Sequence, residues 1–524
     1  NLKSTKAEAY RGGVISSGAV TVNLEGDHVY TRNEDISYEA SGIEAASELY
    51  RSYSPWWERQ LPESERTPDS TATGGPVTVN FKGSLTSSGS NTRGLTAETK
   101  AARDANLGDV SVAIVGDVST SGANSKALEL TSTTESGQAG NILFDLEGDL
   151  TATGAGSRGV AAKSAVTMTR YGVDVPNLSL TGNASDVDVK IKGDVIASGD
   201  SSLAIEAISS TLNGNSGAVT VELAGDLSAS GVASSGIAAR SSAAAGGNSG
   251  HVDLLLGGDV LATSHQAKAV VAESSAPAGT AGNISVVLAP GSTIQTNSSG
   301  TAVQMIGGAS NRLINRGRIS ARGPSSAAPA PVIKAASVAT ASSTEDASAY
   351  GSAIVSTTGN DTIINAPGGV IEGTVNLGSG VNQLENQAGA QLISSGELYV
   401  GPTAQSVFRN AGVLLSAADQ PAVYNLSGSY VQTASAEMRP ELDFATLSMD
   451  VIDVAFDATL AGTVDLSTTN PELIRPGYYQ VPLVRAGSVV NDGLRLEVDS
   501  SAIARYSLGF SRTAATVEIG RAHV

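Results

Sequence analysis

Short runs in which apolar and polar residues alternate recur along the chain. The clearest run, residues 219–223, places valine and leucine at every second position and ends at Gly225-Asp226. A period of two is typical of a half-buried strand, and the Gly-Asp pair is typical of a turn. Two further strand-like runs follow at Leu227 and Ile237. The unit therefore predicts three short strands separated by turns.

The three-strand unit recurs at a nearly constant spacing. Seven copies have an apolar triplet followed two residues later by a glycine, and a degenerate eighth copy lies at residues 284–288. The separations between successive glycines are 57, 33, 32, 45, 32 and 33 residues, which gives a base period of about 33 with two insertions. The glycines are Gly26, Gly83, Gly116, Gly148, Gly193, Gly225 and Gly258.

A single unit of this kind has apolar stripes on its strands but nothing to cover them. Only neighbouring copies supply the missing backbone partners and close a continuous core. Parallel strands one repeat apart then form long ladders, with about 4.8 Å between successive coils. We therefore predict an all-β fold, a right-handed parallel β-helix (β-solenoid) of three-strand coils.

Changes in the repeat predict the domain organisation. After an Ala/Ser/Pro-rich interruption, asparagines recur at Asn365, Asn386 and Asn410, which are 21 and 24 residues apart and indicate narrower coils. Longer, more aromatic strands near the C-terminus predict a cap over the open ladder. The predicted segments are a β-helix over 1–322 with insertions near 50–73 and 168–181, a linker over 323–350, shorter coils over 351–428, a cap over 429–518 and a non-native tail over 519–524.

Composition limits the partners. The formal net charge is −19, which argues against binding of nucleic acid or anionic lipid because both need clustered Lys and Arg. There is no cysteine, so disulfides and thiolate metal sites are excluded. No apolar run approaches the roughly 18 residues that a transmembrane helix requires. Aromatic residues make up only 4% of the chain, which fits a thin aliphatic interior.

The two insertions carry the candidate binding residues. The first contains Tyr53, Trp56 and Trp57, and the second contains Tyr171. Insertions on one edge of a repeat protein often form its binding surface, and exposed Trp and Tyr provide rigid contact area for sugar or protein. The alternative is that these rings fold back and pack on the coils. We favour packing, and keep the four residues as the candidate contact site.

Acidic residues follow six of the corner glycines: Asp27, Asp117, Asp149, Asp194, Asp226 and Asp259. Stacking would place these carboxylates in a column, where a divalent cation or the turn amides would stabilise them. We favour the amides, because nine-residue calcium repeats are absent apart from a lone Gly359-Asn-Asp361 fragment. The histidines His28, His251 and His265 lie in separate repeats without metal-ligand spacing. We therefore predict no metal site, no cofactor and no catalytic residue.

The chain resembles the passenger region of bacterial autotransporters, which use type V secretion. The resemblance rests on the repeat that ends in Gly-Ile-x-Ala-x-Ser at 236–241, the segments 359–365 and 371–373, and a pertactin-like C-terminal passenger segment with Tyr430-x-Gln432 and 460–464. It implies export across the outer membrane to the cell surface, through a translocator barrel that is not part of this sequence. Both ends of the sequence are expected to be truncated.

The expected function is that of a surface-displayed rod without enzymatic activity, an adhesin or interaction stalk for host or environmental glycans or proteins. β-Helices also carry polysaccharide lyases and hydrolases, so a carbohydrate-active enzyme is the alternative. A cleft lined by several carboxylates would favour the enzyme, and protruding aromatic loops would favour adhesion.

Overall fold

A computed structural model describes residues 6–8, 17–31, 40–50, 72–101, 105–167, 181–322, 351–417, 420–475, 477–498 and 504–521. Strands account for nearly all its secondary structure, and the only helical element among these residues is the 3-10 turn Pro471–Leu473. Most strands pair in parallel with a strand one coil away. The chain folds as a parallel β-helix, as the repeat predicts.

The contacts divide the chain into two compact units. The first comprises residues 1–260, 270–286 and 306–309, and the second comprises residues 261–269, 287–305 and 310–524. Each coil contributes strands to three sheets, here called face 1, face 2 and face 3 in the order in which the chain meets them. Four strands contain residues of both units: Val260–Ala262, Lys268–Ser275, Ile284–Leu288 and Thr301–Gly307.

In the first unit the predicted triplets are the strands of face 1. Face 1 consists of Val20–Glu25, Val77–Lys82, Val110–Val115, Ile142–Glu147, Val187–Ile191, Val219–Leu223 and Val252–Leu256. Face 2 consists of His28–Thr31, Leu85–Ser88, Val118–Ser121, Leu150–Thr153, Val195–Ser198 and Leu227–Ser230. Face 3 consists of Lys6–Glu8, Ala40–Tyr50, Thr92–Ala101, Lys126–Thr134, Arg158–Val166, Leu203–Asn213 and Ser235–Gly246. A short fourth sheet contains Ala72–Gly74, Ala105–Leu107, Gly137–Gln138 and Gly182–Asn183.

The core of the first unit is built from columns of like residues. Ile142 lies opposite Val187, which lies opposite Val219, and Val219 lies opposite Val252 in the next coil. All four side chains are fully buried. Because every coil places its aliphatic residue at the same register, each side chain packs on a similar one above and below. The column supplies the cover that a single coil lacks.

Two of the corner glycines, Gly83 and Gly116, are required for two separate reasons. Gly83 and Gly116 have φ values of +138° and +135°, in the region that favours glycine. A Cβ added to Gly116 would also lie only 2.1 Å from the carbonyl oxygen of Gly83 in the preceding coil. The turn and the close stacking of coils therefore both exclude a side chain at this corner.

The second unit has shorter coils. Its face 1 consists of Ser310–Asn315, Asn360–Asn365, Gln383–Asn386, Val407–Asn410, Ser429–Gln432, Asp457–Leu460 and Ser488–Asn491. Face 2 consists of Thr293–Thr296, Arg318–Ala321, Val370–Glu372, Gln391–Ser394, Val413–Ser416, Glu437–Arg439, Thr463–Thr469 and Arg495–Val498. Face 3 consists of Ser352–Ser356, Thr374–Asn376, Glu397–Tyr399, Val423–Ser427, Val451–Val454 and Tyr479–Arg485.

Parallel coils continue well into the segment predicted to be a cap. The strand Thr463–Thr469 still pairs in parallel with Arg495–Val498. Antiparallel pairing begins with a small hairpin of Glu441–Asp443 and Ser448–Met449, and dominates only where Ala514–Arg521 pairs with Ala504–Phe510 and with Tyr479–Arg485. Ile519, in the predicted non-native tail, is 1% exposed and lies within this last strand.

Truncation of a column residue is expected to destabilise the first unit. Ile142→Ala removes a fully buried side chain, and the cavity left between rigid coils should lower the free energy of unfolding by about 2–5 kcal/mol. The matched control is Leu143→Ala, on the same strand but 42% exposed, where the change should stay within about 0.5 kcal/mol. Urea unfolding followed by circular dichroism measures both, and equal losses would contradict the assigned orientation of the strand.

Candidate functional site

The four residues predicted to form a contact site lie outside the described residues. Tyr53, Trp56 and Trp57 fall within 51–71, and Tyr171 falls within 168–180. Their role as a contact site stays a prediction. The described residues instead present a cluster of charged side chains that the sequence analysis missed.

This cluster lies on the outer side of face 3 in three successive coils, over the strands Thr92–Ala101, Lys126–Thr134 and Arg158–Val166. We call it the charged face. Its members are Arg93, Glu98, Lys100, Lys126, Glu129, Arg158 and Lys163, and none of them is buried. The 33-residue period could have revealed this cluster from the sequence, because it brings Arg93 and Lys126 to the same position of successive coils.

Three basic residues stack directly on one another in the charged face. Lys126 lies opposite Arg93 on one side and Arg158 on the other. Like charges in register repel, so the arrangement requires counter-charges. Glu129 provides one, because its carboxylate lies 2.5 Å from Nε of Arg93 and 2.5 Å from Nζ of Lys126. Glu206 in the next coil provides another, 2.6 Å from a guanidinium nitrogen of Arg158.

The charged face is partly shielded from water. The side chains of Lys126 and Glu129 are only 19% and 13% exposed. Thr96 and Ala161, which flank Glu129 in register, are 4% and 7% exposed although they belong to the outer side. Partial burial lowers the effective dielectric constant, so the ion pairs interact more strongly here than on an open surface.

Glu98 differs from the other carboxylates of the charged face. Burial raises its pKa above the ordinary value, and the negative charges of Glu48 and Glu129 add to the rise. Lys100, whose Nζ lies 3.7 Å from the carboxylate, and Arg93 oppose it. Glu98 therefore takes up a proton more readily than an exposed glutamate, whereas the carboxylate of Glu129 lies between two basic side chains. Two neighbouring carboxylates in different environments are the pattern that acid–base chemistry uses.

The corner aspartates bond to backbone amides, as we favoured. Oδ1 of Asp117 accepts a hydrogen bond of 3.0 Å from the amide of Asp149, and Oδ1 of Asp149 accepts one of 2.9 Å from Asp194. Asp194 and Asp226 continue the series to Asp259. The donor belongs to the next coil rather than to the same turn. Each of these carboxylates therefore links two coils through a hydrogen bond.

Buried asparagines form the corresponding ladder in the second unit. Nδ2 of Asn315 donates to Oδ1 of Asn365, that of Asn365 to Asn386, and that of Asn386 to Asn410, each over 2.8 Å. All four side chains are fully buried. The first three also donate to a backbone carbonyl on the face 2 strand of the next coil, to Val370 in the case of Asn315. The recurring Asn thus links neighbouring amides, as the sequence indicated.

Asp361 occupies a second polar column beside the asparagine ladder. Nδ2 of Asn311 donates to its Oδ1 over 2.7 Å, and its own backbone amide donates to Oδ1 of Asn382 over 2.8 Å. The residue is 1% exposed. Burial raises the pKa of Asp361 to about 6, although hydrogen bonds from Ser356 and Asn311 oppose the rise. The Gly-Asn-Asp fragment therefore contributes a buried carboxyl group to the coil stack.

Glu372 is another buried carboxylate of the second unit, and its partners include basic side chains. Its side chain is 1% exposed and forms ion pairs with Arg318 and with Arg322, the latter at 3.4 Å. The hydroxyl of Ser320 donates to it over 2.9 Å. These two guanidinium groups compensate Glu372 for its loss of hydration. Asp361 has no such basic partner among the described residues.

One cavity lies within the second unit. It measures about 30 Å³, and Leu398, Leu414, Met438 and Ile452 supply much of its apolar lining, with Asp450 at its polar side. Burial raises the pKa of Asp450, while the amides of Ala422 and Glu441, each at 2.9 Å, hold the carboxylate. A space of this size holds one or two water molecules, so it is too small for a sugar ring.

The described residues contain no group of three or more His, Asp or Glu side chains placed to hold a metal ion. No helix within them is long and apolar enough to cross a membrane. No protein-family model matches the chain, and no curated protein was found to be related to it.

Replacement of Asp361 is expected to change how stability depends on pH. Its folded-state pKa of about 6 lies above the model value of 3.8, so its contribution to stability is present below the lower value and is lost as pH rises through about 6. Asp361→Asn keeps the shape and removes the charge. At neutral pH the variant should be more stable than the wild type by about 2–3 kcal/mol, and near pH 4 the two should be equal.

Urea unfolding at both pH values measures this difference. Asp443→Asn is the control, because Asp443 is half-buried and hydrogen bonds from Asn470 and Thr446 lower its pKa to about 2, so its replacement should destabilise at neutral pH. An Asp361→Asn variant that is less stable than the wild type at neutral pH would contradict the assignment.

Proposed function

We propose that this protein is a secreted or surface-displayed β-helix that works as an adhesin or surface-interaction stalk without enzymatic activity. The observation that carries the proposal is the stacked-coil fold itself. Its repeated register directs buried and corner polar groups into ladders between coils, such as the column from Asp117 to Asp259. Groups committed to neighbouring coils support the scaffold, and the outer sides of the faces are left for contact with a ligand.

The carboxylates on face 3 of the first unit support a non-enzymatic role. Glu129 has two basic partners and Glu206 has Arg158, so ion pairs within the protein already engage both carboxylates. The pocket lined by Leu398, Leu414 and Met438 in the second unit is too small for a sugar ring. The resemblance of the sequence to autotransporter passengers supports a position on the cell surface, with export through a translocator barrel in the outer membrane. Host or environmental glycans or proteins are its proposed partners.

Adhesion of the full chain tests this proposal. Beads coated with the purified protein should attach to host cells or to a glycan array, and Trp56→Ala/Trp57→Ala should weaken attachment at least about tenfold if the first insertion makes the contact. The control is Tyr478→Ala, an aromatic ring that is 63% exposed in the second unit. Absence of attachment by the wild type would contradict the proposed function. Equal attachment by the wild type and all variants would exclude the two tryptophans as the contact site but would not contradict the proposed function.

The carbohydrate-active alternative has one specific observation in its favour, the contrast between Glu98 and Glu129. In a glycosidase, a carboxyl group with a raised pKa donates a proton to the leaving oxygen, while an ionised carboxylate activates water or attacks the sugar. The two residues lie on adjacent coils, because Glu98 is in register with Thr131, two residues after Glu129. Arg93 and Lys126 engage the two carboxylate oxygens of Glu129, which leaves neither oxygen directed at a substrate, and for this reason we rank adhesion first.

An assay for new reducing ends separates the two functions. We expect the full chain to release no product from neutral or acidic polysaccharides. If product forms, Glu98→Gln should reduce the rate by at least about 100-fold, because the proton donor is lost. Glu273→Gln, which carries the same change on a more distant coil of face 3, serves as the control. Product formation that depends on Glu98 would overturn the non-enzymatic proposal.

A further inference from the structure

The antiparallel strands that end face 3 leave one edge of that sheet open. Ala504–Phe510 pairs in antiparallel with Ala514–Arg521, which in turn pairs with Tyr479–Arg485. Ala504–Phe510, here called the edge strand, is therefore paired with a described strand on one side only. Every second residue of such a strand directs its N–H and C=O away from its neighbour, so these groups can pair with a further strand.

The edge strand lacks the devices that usually protect an exposed edge. It contains no proline and no lysine, and its register with Ala514–Arg521 runs without a bulge. Its one charged residue is Arg505. On the inner side of the sheet Tyr506 and Leu508 are only half-buried, and Phe510 is 40% exposed. A further strand alongside would cover the remaining apolar surface of these side chains.

The sequence of the edge strand is complementary to itself in an antiparallel pair centred on Ser507. On the inner side, this register sets Tyr506 opposite Leu508 of a second copy, an aromatic–aliphatic pair of the kind that stabilises sheets. On the outer side, it sets Arg505 opposite Gly509 of the second copy. A register centred on Arg505 would instead set two guanidinium groups opposite each other, which is unfavourable.

A carboxylate that can receive Arg505 already lies beside Gly509. Glu518 is opposite Ser507 on the neighbouring strand, and its side chain extends over Gly509, where an added Cβ would collide with it. Nε2 of Gln480 donates to its Oε1 over 3.1 Å, and the hydroxyl of Ser507 donates to its Oε2 over 3.4 Å. Within the described residues, neither Arg505 nor Glu518 forms an ion pair. Opposite Cα atoms of antiparallel strands are about 4.5–5.5 Å apart, so an arginine opposite Gly509 can reach this carboxylate.

We propose that two copies of the chain associate through their edge strands, which pair in antiparallel about a twofold axis at Ser507. The pairing joins face 3 of both copies into one sheet, and an Arg505–Glu518 ion pair on each side of the axis sets the register. A second copy suits this edge better than an unrelated strand, because its charges and apolar side chains match position by position. The inference goes beyond the proposed function and does not depend on it.

The proposed interface is small. One strand and its flanking side chains lie at the low end of the areas that protein interfaces bury. We therefore expect monomer and dimer to be in equilibrium, rather than a permanent complex.

Exchange of the two charged residues tests the proposal. Sedimentation velocity of the full chain between about 1 and 100 µM should show a dimer that forms as the concentration rises. Arg505→Glu brings two carboxylates together on each side of the axis, and Glu518→Lys brings two basic groups together. Each variant alone should therefore dimerise at least about tenfold more weakly than the wild type. An equimolar mixture of the two variants restores both ion pairs and should dimerise about as well as the wild type.

The matched control is Arg409→Glu, which makes the same charge change at an exposed position of face 1 in an earlier coil. It should dimerise like the wild type. Hydrogen exchange at high protein concentration should show added protection in the edge strand and none in Val407–Asn410. Circular dichroism melting checks that each variant folds. A wild type that stays monomeric, a dimer that Arg505→Glu leaves intact, or a mixture that dimerises no better than the single variants would overturn the proposal.

Discussion

The parallel, in-register stacking of coils is the constraint on which the rest of this structure depends. It places each residue directly above and below the residue at the same position of the neighbouring coils, about 4.8 Å away. In aliphatic columns such as Ile142, Val187 and Val219, the like residues above and below shield each side chain from water. Charged or hydrogen-bonding columns gain only when the side chain both donates and accepts along the stack, or when a counter-charge is close. Asparagine meets the first condition and is the residue of the long buried ladder.

The carboxylates of the protein illustrate the second condition. Glu129 and Glu372 each have two basic partners, and the corner aspartates receive amide hydrogens from the next coil. Asp361 has amide and hydroxyl partners but no basic partner in the part of the chain that the structure describes. An asparagine side chain can accept a hydrogen bond from one neighbouring coil and donate one to the other. A carboxylate at the same position can only accept. Because Asp361 is buried at such a position, its pKa is raised.

Much of the fold could be predicted from the sequence because its signals are local and repeated. The triplets, the corner glycines and the spacing of Asn365, Asn386 and Asn410 all correspond to strands and corners. The charged face was not predictable in the same way. Lys126 and Glu129 face the same side although they are three residues apart, because the pairing passes from Lys126 to Leu128 and omits Ala127. An alternation rule would have put them on opposite sides. The aromatic insertions lie outside the described residues.

The direction of the aspartate ladder makes the two ends of the coil stack unequal. In each step the acceptor belongs to the earlier coil and the amide donor to the later one, as between Asp117 and Asp149. Cutting the stack therefore leaves a carboxylate on one broken surface and a bare N–H on the other. Water can satisfy either group, but only one of them is charged. The surface exposed by removal of the trailing coils therefore gains a carboxylate without its amide partner, and the surface exposed by removal of the leading coils gains none.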